Sequence, residues 1–542
     1  MRFSAVGFLL SALTLYAQTP VILISVDTLR ADHSRTPTIE SWATKGGTRF
    51  ANISTQVPLT LPAHTVLMAS QYPFETGVEE NATTLPPNTP TLVRILKGLG
   101  YRTAAFIGSI FLEKELGLDQ GFDTYDSPFS FGAFSKLSGE LLVAGGARNS
   151  YSVRERRTAP LVFRSANAWL AAHKGEPVFV FIHLFDQHKP WRAPTYRAQS
   201  DLVDQALAGL EQSLRKEGWW DRSLVVLTAD HGEGLGDHGE SDHGYFIYES
   251  TVHVPLVVHW PSGTSAAPPN TAHPGGLVDV AASILDFLKI PIPPSFHGRS
   301  LFSGPGPSAV FAESVYARDA FGWSPLRSLR VGNLKYIDAP KPELYDLDKD
   351  SGEKDNLIAR RPVDAARLKA QLASYRPPAK VSTQPGVDPS RRKEVLESLG
   401  YLAPGPSNSA ASGADPKDRL PDLIRYEEAL DKMAARRYDL AITSFRAILA
   451  HDPGNLLVRR DLGAALVETR KFADAASELQ RVASASPGDY VTRYELGLAH
   501  EGSGKFAEAK EQLEAACKLA PAATQCQEAI RRVSAKIQAK MH

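Results

Sequence analysis

A period of 34 residues near the C-terminus constrains the fold of this chain more than any other feature. Tyr438, Phe472 and Phe506 are spaced by 34 residues, and so are Pro453, Pro487 and Pro521. Ala441, Ala475 and Ala509 keep the same register, as do the pairs Leu462-Gly463 and Leu496-Gly497. Self-similarity at a fixed period means one supersecondary unit stacked on copies of itself. Small residues let helices cross closely, and proline marks a boundary that a helix does not pass. The expectation is a helix–turn–helix array over residues 418–542, because a generic bundle has no reason to hold three residue types in phase. Three units meet the minimum that buries a continuous core, and the chain from Ala522 onward is left to supply a capping helix.

With 542 residues the chain has room for a second, larger domain. Residues 403–417 are rich in Pro, Gly, Ser and Ala and read as a linker. Upstream of it, over residues 21–402, apolar runs alternate with amphipathic stretches. The strand candidates are Val21–Val26, Arg102–Ile107, Pro177–Leu184, Leu224–Ala229 and Pro255–His259. Helical stretches such as Thr91–Leu99 and Pro160–Ala172 lie between them. This alternation predicts an α/β fold, a mixed sheet with helices on both faces. Arg327–Ile337 and Glu343–Leu347 read as a strand-rich appendix with a helix after it, a small C-terminal subdomain over about residues 305–402.

Arg2, an apolar run from Ala5 to Tyr16 and then Ala17-Gln18 form the pattern of a secretory signal peptide over residues 1–17. The expectation is an exported protein, periplasmic or secreted; an uncleaved signal would tether it to the membrane. The two cysteines, Cys517 and Cys526, lie far from every candidate site, which argues against a thiol nucleophile or a zinc–thiolate centre. A disulfide between them is one alternative. Lys plus Arg equals Asp plus Glu at 60 each, so no basic field points to nucleic acid.

Chemistry concentrates where strands end. The run Leu224–Leu227 empties into T-A-D-H-G-E-G-L-G-D-H-G-E-S-D-H-G at residues 228–244. In open α/β sheets ligands bind outside the carboxyl ends of the strands. Asp230 and His231 can both turn toward one cation there, and carboxylate with imidazole suits zinc or manganese better than calcium. Asp27 stands at the end of another strand, in V-I-L-I-S-V-D-T-L-R-A-D-H. Thr60 precedes Leu61-Pro62 at or near a helix N-cap. It reads either as a simple cap or as a nucleophile whose pKa a neighbouring cation would lower. A third cluster, F-I-H-L-F-D-Q-H-K-P-W, offers His183, Asp186, His188 and Lys189. Alternation along a strand favours Asp186 with His188 as a pair. His188 and Lys189 could hold the oxygens of a tetrahedral anion or protonate a leaving group.

The ordered set V-D-T-L-R-A-D-H, T-P-T-I-E-S-W-A, V-P-L-T-L-P-A-H, H-L-F-D-Q-H-K-P and T-A-D-H-G-E-G-L-G-D-H-G-E resembles the sulfatase family of the alkaline phosphatase superfamily. E-L-Y-D-L-D-K-D-S-G-E-K-D-N-L from residue 343 is similar to that family's C-terminal subdomain. The 34-residue unit resembles the tetratricopeptide repeat. Together these resemblances imply an alkaline phosphatase-like sandwich followed by an all-α repeat domain. They also imply metal-assisted hydrolysis of a sulfated or phosphorylated small molecule, glycan or lipid, and a protein or peptide partner on the concave face of the repeats.

The departures from the sulfatase pattern are specific. Thr60 stands where the family has a cysteine or serine that becomes formylglycine, with Ala63 for the motif's serine and His64 for its arginine. Asp27-Thr28 replaces two aspartates, and Asp230-His231 replaces Asp-Asn. Within the same superfamily, phosphodiesterases and envelope phosphotransferases use a metal-bound threonine. By that similarity Asp27, Thr60, Asp230 and His231 would hold one divalent metal, with Thr60 attacking phosphorus or sulfur. His243 falls where sulfatases place a substrate lysine and metallophosphatases a second-metal histidine. A second metal or substrate site would then draw on Asp186, His188, His243, Lys189 and His64. Glu233, Asp237, His238 and Glu240 are left as structural or rim residues. Two other readings follow from the same residues: a phosphotransferase acting on envelope glycans or lipids, and a pseudoenzyme whose repeats serve as a scaffold.

Overall fold

β1 (Val21–Val26) is buried at every position, which requires neighbours on both edges and cover on both faces. The computed structural model describes residues 18–81, 83–129, 156–189, 191–264, 271–304, 309–375, 413–519, 521 and 524–541. The expected signal peptide, most of the expected linker and the end of the expected small subdomain lie outside the described residues.

The chain divides into two compact units. In the first, β1 pairs in parallel with β5 (Val178–Leu184) and β6 (Leu224–Thr228). β3 (Arg102–Phe106) and β4 (Thr124–Asp126) extend the sheet in parallel beyond β5. Past β6 the sheet turns mixed. β7 (His253–His259) runs antiparallel to both β6 and β2 (Gly47–Ser54), and the two-residue β8 (Gly275–Gly276) closes the edge. The order is β4-β3-β5-β1-β6-β7-β2-β8. β7 begins before the expected Pro255 because Val254 and His253 continue the ladder against Ile53 and Ser54, past a bulge after Phe50.

Register places the chemistry. Ser25 lies opposite both His183 and Thr228, so Asp27 and Asp230, two residues further on, leave adjacent strands side by side. The helix Thr60–Ala69 is buried along its whole length and packs on the helix Val278–Phe287, so its first turn is shielded from water. A second, antiparallel sheet holds β9 (Val310–Ser314), β10 (Leu326–Val331), β11 (Leu334–Asp338) and β12 (Glu343–Asp346), in the order β12-β11-β10-β9. Phe311, Leu329, Tyr336 and Leu344 of that sheet pack on Ala365, Leu368 and Leu372 of the helix Pro362–Leu372.

The second unit is helical. Leu420–Ala434, Tyr438–His451, Leu456–Glu468, Phe472–Ala485, Tyr490–Gly502 and Phe506–Leu519 form three antiparallel pairs, and Thr524–Met541 follows them. The repeated glycines mark close crossings. A Cβ on Gly463 would lie 2.4 Å from Leu479 Cγ, and one on Gly497 would lie 2.7 Å from Leu513 Cγ. Cys517 and Cys526 form a disulfide between the last two helices. Val315–Pro325, within the stretch expected to belong to the small subdomain, groups with this unit instead. There Trp323 Nε1 donates to Asp452 Oδ2 at 3.2 Å, and the Phe321 ring meets Tyr426 edge-on at 5.4 Å.

Candidate active site

The β1 and β6 ends and the first turn of the Thr60–Ala69 helix meet at one buried point. Thr60 is the first helical residue rather than the cap, which is Leu59. The Thr60 hydroxyl donates to Asp27 Oδ2 at 3.3 Å and lies 3.5 Å from His231 Nε2. His231 Nδ1 lies 2.9 Å from the Gly232 carbonyl, so that nitrogen carries the proton and Nε2 presents a lone pair. Asp230 Oδ2 is 3.4 Å from the same Nε2. Asp27, Thr60, Asp230 and His231 all have no exposed surface.

Two carboxylates buried side by side strain each other electrostatically. Burial raises Asp27 to about 7. Burial, with Asp27 next to it, pushes Asp230 well above the usual carboxylate range. Asp27 Oδ1 and Asp230 Oδ2 have no hydrogen-bond donor, although each carboxylate is fully buried. Buried charges of one sign persist only when paired or coordinated to a cation. The donor set of two carboxylates, one imidazole lone pair and one hydroxyl fits a divalent metal, and the ligand atoms of Asp27, Asp230 and His231 lie within 4.8 Å of one another.

His64 and His183 form the wall behind this set. His64 follows Thr60 by one helical turn and donates from Nδ1 to the Thr60 carbonyl at 2.7 Å. Its Nε2 lies 2.9 Å from Ser25 Oγ. The His183 ring stands edge-on to it at 4.9 Å, with Nε2 3.3 Å from Asp27 Oδ2. Burial lowers both histidines, His183 to about 3, so both are neutral.

On the other side of His231, at 4.3 Å between ring centres, stands His243. Its Nδ1 is 3.1 Å from Glu233 Oε1 and 3.3 Å from Asp242 Oδ1. Burial opposes protonation of His243, but Glu233 and Asp242 outweigh it and raise the imidazole well above its ordinary value. His188 stacks on Phe185 at 4.4 Å, stands edge-on to His243 at 5.3 Å and donates from Nδ1 to the Lys189 carbonyl. Burial lowers His188 to about 3, so it is a neutral imidazole.

Asp27, Thr60, Asp230 and His231 are thus brought together, with His64 behind them and His188 and His243 beside them. Asp186 is not among them: its Oδ2 accepts from the Ala159 N–H at 2.8 Å, at the start of the helix Ala159–Ala172. The pairing of Asp186 with His188 fails because β5 ends at Leu184, and strand alternation does not extend beyond it. Lys189 Nζ is tied to the Ser241 carbonyl. Glu233, read from sequence as structural or at the rim, is fully buried against His243. His183 and Asp242 also join the site. The third cluster offers His183, but strand parity favours Asp186 and His188; a histidine inside the otherwise apolar strand V-F-V-F-I-H-L is the signal that marks His183.

The remaining loop residues hold its shape. Glu240 accepts from the Tyr245 and Phe246 N–H groups, Asp237 pairs with Arg30 at 2.8 Å, and His238 stacks on Tyr248 at 3.6 Å. Gly234 passes so close to its own loop that a Cβ would lie 2.2 Å from the Glu240 carbonyl oxygen, so only glycine fits.

A family model described as sulfatase matches residues 20–290, and one described as tetratricopeptide repeat matches residues 426–490. Arylsulfatase K of Bos taurus is 26% identical over 254 residues, which are 44% of this chain and 46% of that protein. The chain therefore spans about half the length of the curated relatives first matched. Choline-sulfatase of Rhizobium meliloti (strain 1021) is 25% identical over 445 residues, covering 65% of this chain and 85% of that protein. Among solved structures, the phosphonate monoester hydrolase of Agrobacterium radiobacter superposes with a TM-score of 0.53 at 18% identity, covering 66% of this chain and 95% of that one. That last likeness is one of fold.

Proposed function

The chain belongs to the sulfatase family, and from that premise we propose that it is a metal-dependent hydrolase of sulfate or phosphate esters with Thr60 as nucleophile. The observation that carries this reading is the Thr60 hydroxyl, 3.3 Å from Asp27 and 3.5 Å from His231 at the meeting point of the buried ligand set. Threonine cannot become formylglycine by the family's usual route, so the hydroxyl itself must do the work. A divalent cation held by Asp27, Asp230 and His231 would lower the hydroxyl's pKa and offset the negative charge gathering on the ester. The nitrogen donor and the paired carboxylates favour zinc or manganese over calcium.

The Thr60 hydroxyl gives its proton to Asp27 Oδ2, the acceptor 3.3 Å away, and Oγ1 bonds to phosphorus or sulfur as the bond to the ester's alcohol oxygen breaks. The departing oxygen takes a proton. His243 suits that role better than His188, since Glu233 and Asp242 hold its Nδ1 and keep the ring charged, whereas buried His188 stays neutral. Water then attacks phosphorus or sulfur and gives a proton to His243, the Thr60 Oγ1 bond breaks as Oγ1 takes its proton back from Asp27, and inorganic phosphate or sulfate leaves. His243 also takes the place of a second-metal ligand, but its position between two carboxylates supports an anion-holding imidazolium in a one-metal site.

Phosphate is favoured over sulfate. It carries more negative charge and gains more from a cation and an imidazolium. A sulfate ester appears in the name of one relative, choline-sulfatase, and a phosphonate monoester in that of a protein that shares the fold. The substrate class is a small molecule, glycan or lipid bearing such a group, and the repeats would bind a protein or peptide partner. The Cys517–Cys526 disulfide supports export to an oxidising compartment. The test is turnover of an aryl sulfate, a phosphate monoester and a phosphodiester by wild type and Thr60→Ala, with bound metal measured in both. The reading requires a loss of about 10³-fold or more in Thr60→Ala with metal retained. Equal turnover by the variant, or a dead protein that binds no metal, contradicts it.

A further inference from the structure

We propose that Tyr196 is a positioning residue for the metal centre, its hydroxyl holding the turn after β1 in the one backbone conformation that lets Thr28 fasten Asp230. The proposal rests on the reading of Asp27, Thr60, Asp230 and His231 as a cation site, and Tyr196 itself touches none of them.

Thr28 sits at φ 58°, in the left-handed region. A β-branched residue is strained there and persists only where its surroundings enforce the conformation. The enforcement is visible at both ends of the turn. The Tyr196 hydroxyl donates to the Thr28 carbonyl at 2.6 Å and accepts from the Arg30 N–H at 2.9 Å, so one oxygen closes the loop Thr28–Arg30. In that conformation the Thr28 N–H donates to Asp230 Oδ1 at 3.2 Å. The same oxygen accepts from the His231 N–H at 2.8 Å. Two backbone donors thus fix Oδ1 of Asp230 and leave Oδ2, which has no donor, on the side of His231 Nε2. Arg30 extends the linkage, donating from its guanidinium to the Glu233 and Gly234 carbonyls of the ligand loop.

Tyr196 is itself rigidly placed. It opens the helix Tyr196–Lys216 and is 5% exposed. Its ring stands edge-on to His33 at 5.0 Å and to Trp191 at 5.6 Å. Its carbonyl accepts from Gln187 Nε2 at 3.1 Å, which ties it to the segment after β5. A clamp of this kind orients ligands before the cation arrives, and outer partners of metal ligands typically contribute about 10–100-fold to affinity.

The test is calorimetric titration of the chelator-stripped full chain with manganese(II) and with zinc(II), together with its metal-free melting midpoint. Tyr196→Phe removes one oxygen and keeps the ring. It should weaken cation binding by roughly 10–100-fold. Glycine adopts positive φ without strain, so Thr28→Gly alone should keep wild-type affinity, and Tyr196→Phe should cost less in that background than in wild type. Unchanged binding by Tyr196→Phe, an equal cost in both backgrounds, or a loss in Thr28→Gly alone would overturn the proposal while leaving the metal centre standing. A wild-type protein that takes up neither cation would overturn the metal-centre reading, and this one with it.

Discussion

The helical repeats and the eight-stranded sheet solve the problem of close approach in opposite ways. In the repeats, Gly463 meets Leu479 and Gly497 meets Leu513 through contacts that recur every 34 residues, so each crossing is written locally and then copied. In the sheet, Asp27, Thr60, His183 and the loop residues Asp230 and His243 come from four separate stretches and meet where β1, β5 and β6, in register, end beside the Thr60–Ala69 helix. The repeats lower their energy at each crossing. The candidate site stores unfavourable energy, because two carboxylates are buried side by side with an oxygen on each that has no hydrogen-bond donor. The difference separates crossings where a buried substitution acts on stability from a site where stability and chemistry oppose each other.

Asp230→Asn should have the largest effect. Removing one ligand charge should weaken zinc or manganese binding by more than about 100-fold, measured by titration against a competing chelator. It should also raise the melting midpoint of the chelated protein, since the repulsion between Asp27 and Asp230 is gone. A midpoint that falls would show that the carboxylate pair is not strained.

Next in size is a substitution in the other region. Gly463→Ala places a methyl group against Leu479 and should cost about 1–3 kcal/mol of overpacking in the repeats. Denaturant unfolding followed in the full chain should show the loss, while turnover per folded molecule stays at the wild-type value.

The smallest effect is a slope with pH in the chelated protein. Asp27 and Glu233 are raised to about 7 and Glu240 to about 8, chiefly by burial. Such groups bind more protons folded than unfolded, so they withdraw stability as pH rises from the unfolded carboxylate range to these values. Buried neutral histidines act the other way: His183 and His188, lowered to about 3, add stability as pH rises through the unfolded value of 6.5. Between about pH 6.5 and 8 only the carboxylates and His243 still act, and stability should fall. Saturating manganese should flatten that slope. A midpoint that rises across this window without metal would contradict the account.

Legibility in sequence followed the same division. The repeat helices appear where the 34-residue phase puts them, and β1 spans the expected Val21–Val26 because a wholly apolar run needs no partner to be recognised. β2, with Arg49, Asn52 and a bulge, and β8, a pair of glycines, carry no alternation and emerge only from their pairing with β7 and with each other. In the candidate site, carboxylates directly after strands were readable at Asp27 and Asp230. Asp186 misled because a strand's parity rule stops where the strand stops, and Asp186 turns to the Ala159 N–H instead. Glu233 and Asp242 were silent because their role depends on how a loop folds back on His243. Thr28 was legible only as a missing aspartate; its left-handed backbone and its hold on Asp230 belong to the fold.

The central claim is that Thr60 takes the transferred group onto its own hydroxyl. Acid quenching of the full, metal-loaded chain during turnover of a phosphate ester, followed by peptide mass spectrometry, tests it most directly. One phosphoryl group is expected on the peptide carrying Thr60 and none after Thr60→Ala. Trapped label on another residue, or steady turnover by Thr60→Ala, would contradict it.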